Sequence, residues 1–310
     1  MKKACVATYC EWSSYGSVMQ AIGLKKMLAQ LGVESFVLRD NPAPVPEKHF
    51  PLKFGKSPKQ IVFNVIKNSR RKYQQRSYKE SVSFINKHVD VVYYNDYETL
   101  KKAPPAADYY IAGSDQIWHP ELRSPLFFLD FVDDHVKRLS YAASMGVTNV
   151  PQNREREFFE LVNRFDAVSV REREVEAVLS PYTQKRVDVH IDPTFLRPAE
   201  EWRSISIPYA IKKPYILVYA IYWDRSWNKE LKKLHRKSGC DIVALGTGFP
   251  TVWCNRWISD ADPGQFLWLI DQAQAVVTSS FHGVAFSLIF NKKLAAAINP
   301  AAPPPITTTS

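Results

Sequence analysis

The chain has 310 residues, more than one hydrophobic core usually serves, so two domains of ordinary size are expected. Hydrophobic residues make up 45% and charged ones 23%, ordinary globular usage that excludes a disordered or fibrous chain. With 41 basic against 31 acidic residues the formal charge is +10, a field that draws anionic partners without choosing among them.

The apolar run from Ala4 to Tyr9, the small residues Ser13, Ser14 and Gly16, and the amphipathic stretch from Val18 to Leu31 predict strand, loop and helix. Val33 to Leu38 predicts a second strand, and this order begins a parallel, doubly wound sheet. From 41 to 59 the chain is rich in Pro and Lys, and Ile61 to His88 reads as a helix with a basic face, together a basic helical insertion near 41–90. Its densest part, Arg70, Arg71, Lys72 and Arg76, suits nucleic acid or acidic lipid headgroups in principle, but a solvated helix face explains it better, and no nucleic-acid partner is expected.

Two further strands, Tyr109 to Ala112 and Leu139 to Ala142, run into small polar residues, Gly113-Ser114-Asp115-Gln116 in one case and Ser144 and Gly146 in the other. Helices are predicted over 154–163 and from Glu172 to Leu179, with strands at 167–170 and 187–191 before Asp192-Pro193. The proline-rich stretch from Pro198 to Pro214 marks the domain boundary, giving an N-terminal domain at 1–200 and a C-terminal one at 201–310. In the latter, strands at 215–222, 241–245, 275–278 and 294–298 alternate with helices at 229–237, 265–274 and 284–290. The Pro- and Thr-rich end has no element assigned to it.

Cys5, Cys10, Cys240 and Cys254 make no C-x-x-C pair and no compact framework, which points away from zinc or disulfides and toward a reducing cytoplasm. The apolar stretch after Lys2 and Lys3 is broken by Glu11 and has no cleavage pattern of a secretory leader. No run of about 18 uncharged apolar residues is present to span a bilayer, so membrane contact is expected to be peripheral at most.

Three segments hold residues suited to chemistry. Ala275 to Gly283 leads a buried strand into a helix whose amino end suits an anion: Ser279 and Ser280 can cap the helix or bind an oxygen, Gly283 permits close approach, and a neutral His282 there could act as a base. Capping or packing would serve His282 as well. Arg171 follows the end of a strand, the edge at which such sheets bind ligands, and its fork suits carboxylate or phosphate; pairing with Glu172 or Glu174 is the plainer reading. Gly113, Ser114 and Asp115 offer a carboxylate beside backbone donors for hydroxyl recognition or base work, while Asp115 equally caps a following helix. The Ser13 to Gly16 turn is neither G-x-G-x-x-G nor a phosphate-binding P-loop, which weakens dinucleotide and nucleoside-triphosphate readings. Trp118, Trp223, Trp227, Trp253, Trp257 and Trp268 are candidates for sugar stacking or core, with none singled out.

Taken together, Tyr15-Gly16 with Gln20, Gly113 to Trp118, Ser140 to Ser144, Ser169 to Glu172, Asp192 to Thr194 and Ser280 to Gly283 stand in the order of the motifs of the polysaccharide pyruvyl transferase family, which this chain resembles. The resemblance implies an α/β fold of two Rossmann-like domains, glycosyltransferase-B-like, facing across a cleft. It further implies phosphoenolpyruvate as donor substrate, no cofactor and no metal, and a sugar or lipid-linked oligosaccharide as acceptor, for a cell-surface polysaccharide or its precursor. By the same resemblance Arg171 and His282 match positions that hold or activate the donor; Gly16, Gly113, Ser114, Ser279, Ser280 and Gly283 are expected to bind substrate, and Asp115 is expected, from its position alone, to orient the acceptor. Family members continue with a further strand and helices where this chain ends in Pro and Thr, so a truncated C-terminal domain is expected. A nucleotide-sugar-dependent glycosyltransferase and a non-catalytic carbohydrate-binding relative are the alternatives.

Overall fold

Short apolar runs buried on both faces cannot form amphipathic helices and pair instead as the inner strands of parallel sheets. The computed structural model describes residues 1–39, 71–121, 124–133, 135–211, 214–221, 226–246 and 252–296. The expectations for the Pro- and Lys-rich stretch up to residue 70 and for the end of the chain from 297 lie outside these residues.

The chain forms two compact units, one from residues 1–39 and 86–198, the other from 71–85 and 199–296. In the first, β1 (Lys2–Ala7), β2 (Val33–Arg39), β3 (Val91–Tyr93), β4 (Tyr109–Ala112) and β5 (Lys137–Ser140) make an all-parallel sheet in the order β3-β2-β1-β4-β5. β6 (Val168–Val170) and β7 (Val187–Val189) pair in parallel and join its β5 edge through bridges from Leu139 to Ala167 and Ala143 to Val170. In the second unit β8 (Tyr215–Tyr219), β9 (Asp241–Leu245), β10 (Arg256–Ile258), β11 (Ala275–Thr278) and β12 (Lys293–Ala296) repeat the arrangement, ordered β10-β9-β8-β11-β12 and all parallel. Each sheet therefore starts in its middle and reverses direction once, between β1 and β4 and between β8 and β11. Ligands of open parallel sheets bind outside the carboxyl ends of the strands at such a reversal.

Among the described residues the helices are α1 (Tyr15–Gln30), α2 (Arg71–His88), α3 (Tyr97–Lys102), α4 (Glu155–Asn163), α5 (Arg173–Leu179), α6 (Ala199–Ser204), α7 (Trp227–Ser238), α8 (Pro263–Asp271) and α9 (Phe281–Ile289). Local chemistry marks their ends. Asp262 and Gln265 close a reciprocal capping box on α8 with Pro263 at its first position, and α7 stops at Gly239, whose φ of 69° suits a residue without a Cβ. Helix α1 lies close on the turn 193–196: a Cβ at Gly23 would stand 2.5 Å from the Pro193 carbonyl oxygen.

The first unit's core centres on Trp118, stacked on Phe128 at 6.1 Å, edge-on to Phe165 at 5.4 Å, with its Nε1–H donating to the Phe127 carbonyl. The 71–85 part of α2, expected with the N-terminal domain, packs in the second unit: the Ser77 hydroxyl donates to the Ala261 carbonyl at 3.3 Å, and a Cβ at Gly264 would meet the Phe84 ring at 2.8 Å. Its Arg76 pairs with Glu80 at 2.7 Å on an exposed face. Trp202 of α6 anchors the second core, fully buried and edge-on to Phe286 at 5.1 Å, which in turn meets Phe266 at 5.8 Å. Trp202→Ala is expected to lower the stability of the second unit by about 3–5 kcal/mol, read as an earlier urea transition of that unit with the first unit's transition unmoved.

Candidate functional site

The carboxyl edge of the first sheet is built by the residues that directly follow each strand. Thr8 follows β1, Gly113 follows β4, Tyr141 follows β5, Arg171 follows β6 and His190 follows β7. Gly113 has a φ of 117° and stands where a Cβ would lie 2.2 Å from the Tyr141 carbonyl oxygen, so only glycine fits. The next hydroxyl, Ser114, is fully buried and directed at both the Ala142 carbonyl (2.8 Å) and Asp192 Oδ2 (3.1 Å), so it acts inside the fold. Across the β1/β4 reversal Thr8 Oγ1 donates to the Ser114 carbonyl at 2.8 Å, and Gln20 Nε2 holds Thr8 Oγ1, the Tyr9 carbonyl and the Ser17 carbonyl at 2.8–2.9 Å.

No helix follows Asp115. Its φ of 78° turns the chain, its carbonyl accepts the Ile117 and Ser144 N–H groups at 2.8 and 2.9 Å, and its Oδ1 accepts the Gln116 N–H at 2.8 Å. The helix cap read from the sequence is thus a turn that leaves the carboxylate half-buried at the sheet edge. Gly16 lies buried in the first turn of α1, where Ser17 Oγ donates to the Ser14 carbonyl at 2.9 Å and accepts the Glu11 N–H at 3.0 Å.

Arg171 is only 6% exposed. Its Nε donates to Glu172 Oε1 at 2.9 Å and its Nη1 to Asp192 Oδ2 at 3.2 Å, and the Ser144 hydroxyl adds a 2.7 Å bond to the same Glu172 oxygen. Burial works against the guanidinium charge, but Glu172, Asp192 and Asp115 outweigh it, so the Arg171 pKa is held above its ordinary value. Asp192, buried beneath the turn, also accepts the Thr194 N–H and hydroxyl through Oδ1 at 3.0 and 2.8 Å. Three carboxylates thus share one guanidinium. Glu172 Oε2, buried as well, has no hydrogen-bond partner among the described residues. Glu172, Asp192, Ser144 and Thr8 carry no site role in the sequence reading, although the D-P-T turn and the S-V-R-E segment contain the signal.

In the second unit the β8/β11 reversal is bridged in the same manner: the Thr278 hydroxyl donates to the Tyr219 carbonyl and accepts the Ser280 N–H at 3.0 Å. Ser280 caps α9, accepting the Gly283 N–H, and Ser279 Oγ accepts the Ile221 N–H at 2.9 Å. Gly283 has no room for a side chain, since a Cβ there would lie 2.2 Å from Thr278 Oγ1. His282 sits in the first turn of α9, 6% exposed and edge-on to Phe281 at 5.1 Å. Ser279, Ser280, His282 and Gly283 are thereby gathered at one helix mouth, and Gly113, Ser114, Asp115 and Arg171 at one edge of the other unit. Among the described residues no group of three or more His, Cys, Asp or Glu is placed to hold a metal ion, and no helix is long and apolar enough to cross a membrane.

Two parallel, doubly wound units define an α/β protein of the glycosyltransferase-B-like class. The sequence model of the polysaccharide pyruvyl transferase family matches residues 15–298, and the chain belongs to that family. Among solved structures, Neisseria meningitidis UDP-GlcNAc 2-epimerase bound to UDP-GlcNAc is similar at a TM-score of 0.53 and 11% identity, over 96% of this chain and 82% of that one. The S. aureus MnaA–UDP co-structure is similar at a TM-score of 0.51 and 13% identity, over 96% of this chain and 79% of that one. The E. coli heptosyltransferase WaaC structure aligns at a TM-score of 0.47 and 12% identity, over 98% and 91%. No curated protein sequence matches the chain.

Removing Arg171 would leave Glu172 and Asp192 as uncompensated buried charges. Arg171→Ala is expected to cost about 3–5 kcal/mol of first-unit stability, measured by urea unfolding.

Proposed function

We propose that the protein is a ketal-forming pyruvyl transferase, which moves the enolpyruvate-derived group of phosphoenolpyruvate onto two hydroxyls of a sugar in a cell-surface polysaccharide or its lipid-linked precursor. Membership of the family supports the reaction class, and the observation that carries the division of labour is the contrast between the two sheet edges. The mouth of α9 combines the positive end of a helix dipole, a serine cap, a glycine without a side chain and an imidazole, which suits a small phosphorylated carboxylate. The edge around Arg171 holds Asp115, Glu172 and Asp192 against a single cation, which repels a doubly charged anion and accepts hydrogen bonds from hydroxyls.

On this reading phosphoenolpyruvate binds through Ser279, Ser280 and Gly283, and His282 delivers a proton to the methylene carbon as positive charge develops at C2. A sugar hydroxyl attacks C2, phosphate departs, and a second hydroxyl closes the ring. Of the two hydroxyl protons, one ends on the new methyl group and the other leaves with phosphate. Asp115 orients the acceptor, and Arg171, held between carboxylates, is a positioning residue for Asp192 and Glu172 in place of a direct grip on the donor. The chemistry calls for neither a metal nor a cofactor, and it belongs in the cytoplasm, with peripheral membrane contact if the acceptor is lipid-linked.

A helix mouth that accepts phosphate also suits a diphosphate, so a nucleotide-sugar donor is the rival reading. Thermal shift with phosphoenolpyruvate, uridine diphosphate and guanosine diphosphate separates the two: stabilisation by phosphoenolpyruvate is expected, and stabilisation by a nucleotide alone would overturn the proposal. His282→Ala is expected to keep the fold and lower phosphate release in the presence of acceptor by about 10²–10⁴-fold; unchanged release would remove His282 from proton transfer.

A further inference from the structure

The carboxyl edge of the first sheet carries an aromatic pair with no part in the scheme above. Tyr141 and His190 are the first residues past β5 and β7. Their rings stack nearly parallel, with centroids 5.7 Å apart and planes 8° from coplanar. His190 is exposed and Tyr141 half-buried, which places a flat ring surface at the rim where parallel sheets receive ligands.

Both rings are held from behind. The Tyr141 hydroxyl reaches the Ile191 carbonyl at 3.4 Å. His190 Nδ1 lies 2.7 Å from Ser169 Oγ, and that oxygen already accepts the Ala142 N–H at 3.0 Å. The Ser169 hydroxyl thus tethers the Nδ1 edge of the ring and leaves Nε2 as its other polar atom. Ser169 is locked in turn by Ser140, whose Oγ accepts the Ser169 N–H at 2.8 Å and donates to the Ser169 carbonyl at 3.0 Å. An exposed imidazole is thus held from one side by a hydrogen-bonded serine pair. Such support behind an outward-facing group is what a recognition surface requires and what a freely rotating surface histidine lacks.

The neighbours indicate what would lie there. Asp192, two residues past His190, bonds Ser114 and Arg171, and its charge acts on Tyr141; Ser114 in turn bonds the carbonyl of Ala142, next to Tyr141. Flat rings meet the C–H face of a pyranose, His190 Nε2 shares a hydrogen bond with a sugar hydroxyl, and the half-buried Asp115 carboxylate on the same sheet edge accepts from another. We propose that Tyr141 and His190 form the platform for the acceptor sugar in the first unit, His190 being a specificity-determining residue. This rests on the sugar-acceptor part of the function proposed above and is independent of the identity of the donor.

The test is an NMR titration of full-length protein labelled at histidine Cε1, with the His190 signal assigned through His190→Ala. The probes are the methyl glycosides of glucose, galactose, mannose and N-acetylmannosamine, and separately phosphoenolpyruvate. A saturable shift of the His190 signal with at least one glycoside, and none with phosphoenolpyruvate, is expected. In a transfer assay with that glycoside, His190→Ala should raise its KM roughly tenfold, the loss of about one hydrogen bond and a ring contact, and leave the KM for phosphoenolpyruvate unchanged. A glycoside that moves His190 while phosphoenolpyruvate neither binds nor donates would uphold the platform and remove the donor. A His190 signal unmoved by every glycoside, or a variant that raises both KM values alike, would overturn the platform.

Discussion

A single buried guanidinium ties together the working edge of the first unit. Arg171 bonds Glu172 and Asp192, Asp192 bonds the Ser114 hydroxyl, and Ser114 reaches the Ala142 carbonyl, so the loops after β4, β5, β6 and β7 are pinned to one another through charge-assisted and neutral hydrogen bonds. Gathering the buried Asp192 and the half-buried Glu172 and Asp115 around one buried cation is costly unless the geometry is closely matched, and the Ser144 and Thr194 hydroxyls supply further partners. The result is a rigid rim on which Asp115, Tyr141 and His190 take fixed positions.

The second unit solves the same topological problem with less charge. Both sheets reverse direction once, and at both reversals a threonine hydroxyl spans the gap to a carbonyl across it, Thr8 to Ser114 in one unit and Thr278 to Tyr219 in the other. Beyond that shared device the edges diverge. One has carboxylates and aromatic rings, the other a glycine-tight helix mouth with a serine cap and a histidine. That asymmetry is what the proposed division between hydroxyl recognition and anion binding rests on.

Most of the fold was legible from the chain because inner parallel strands leave a strong trace: 109–112, 241–245 and 275–278 are strands at the bounds their apolar runs predict. The elements without a prediction are short or sit at edges. The strands at 91–93 and 256–258 expose residues on an outer position, and α3 and α6 are six residues long, too brief for a helical period to stand out. Trp202 drew no notice for the same reason. Of the site, Gly283 could be marked as a close approach, but that its neighbour is the Thr278 hydroxyl, and that Gly113 abuts the Tyr141 carbonyl, depends on how strands and loops pack.

The sequence by itself determined the α/β class, the repeated strand and helix alternation, the family motifs and the small residues at strand ends, because these follow from local periodicity and residue chemistry. Only the tertiary structure decided that Ser144 packs against the turn at Asp115, that Asp192 joins Glu172 around Arg171, and that Tyr141 meets His190. Each of those facts depends on strands brought side by side from distant parts of the chain, and pairing across a parallel sheet leaves no mark in the residues that flank any one strand.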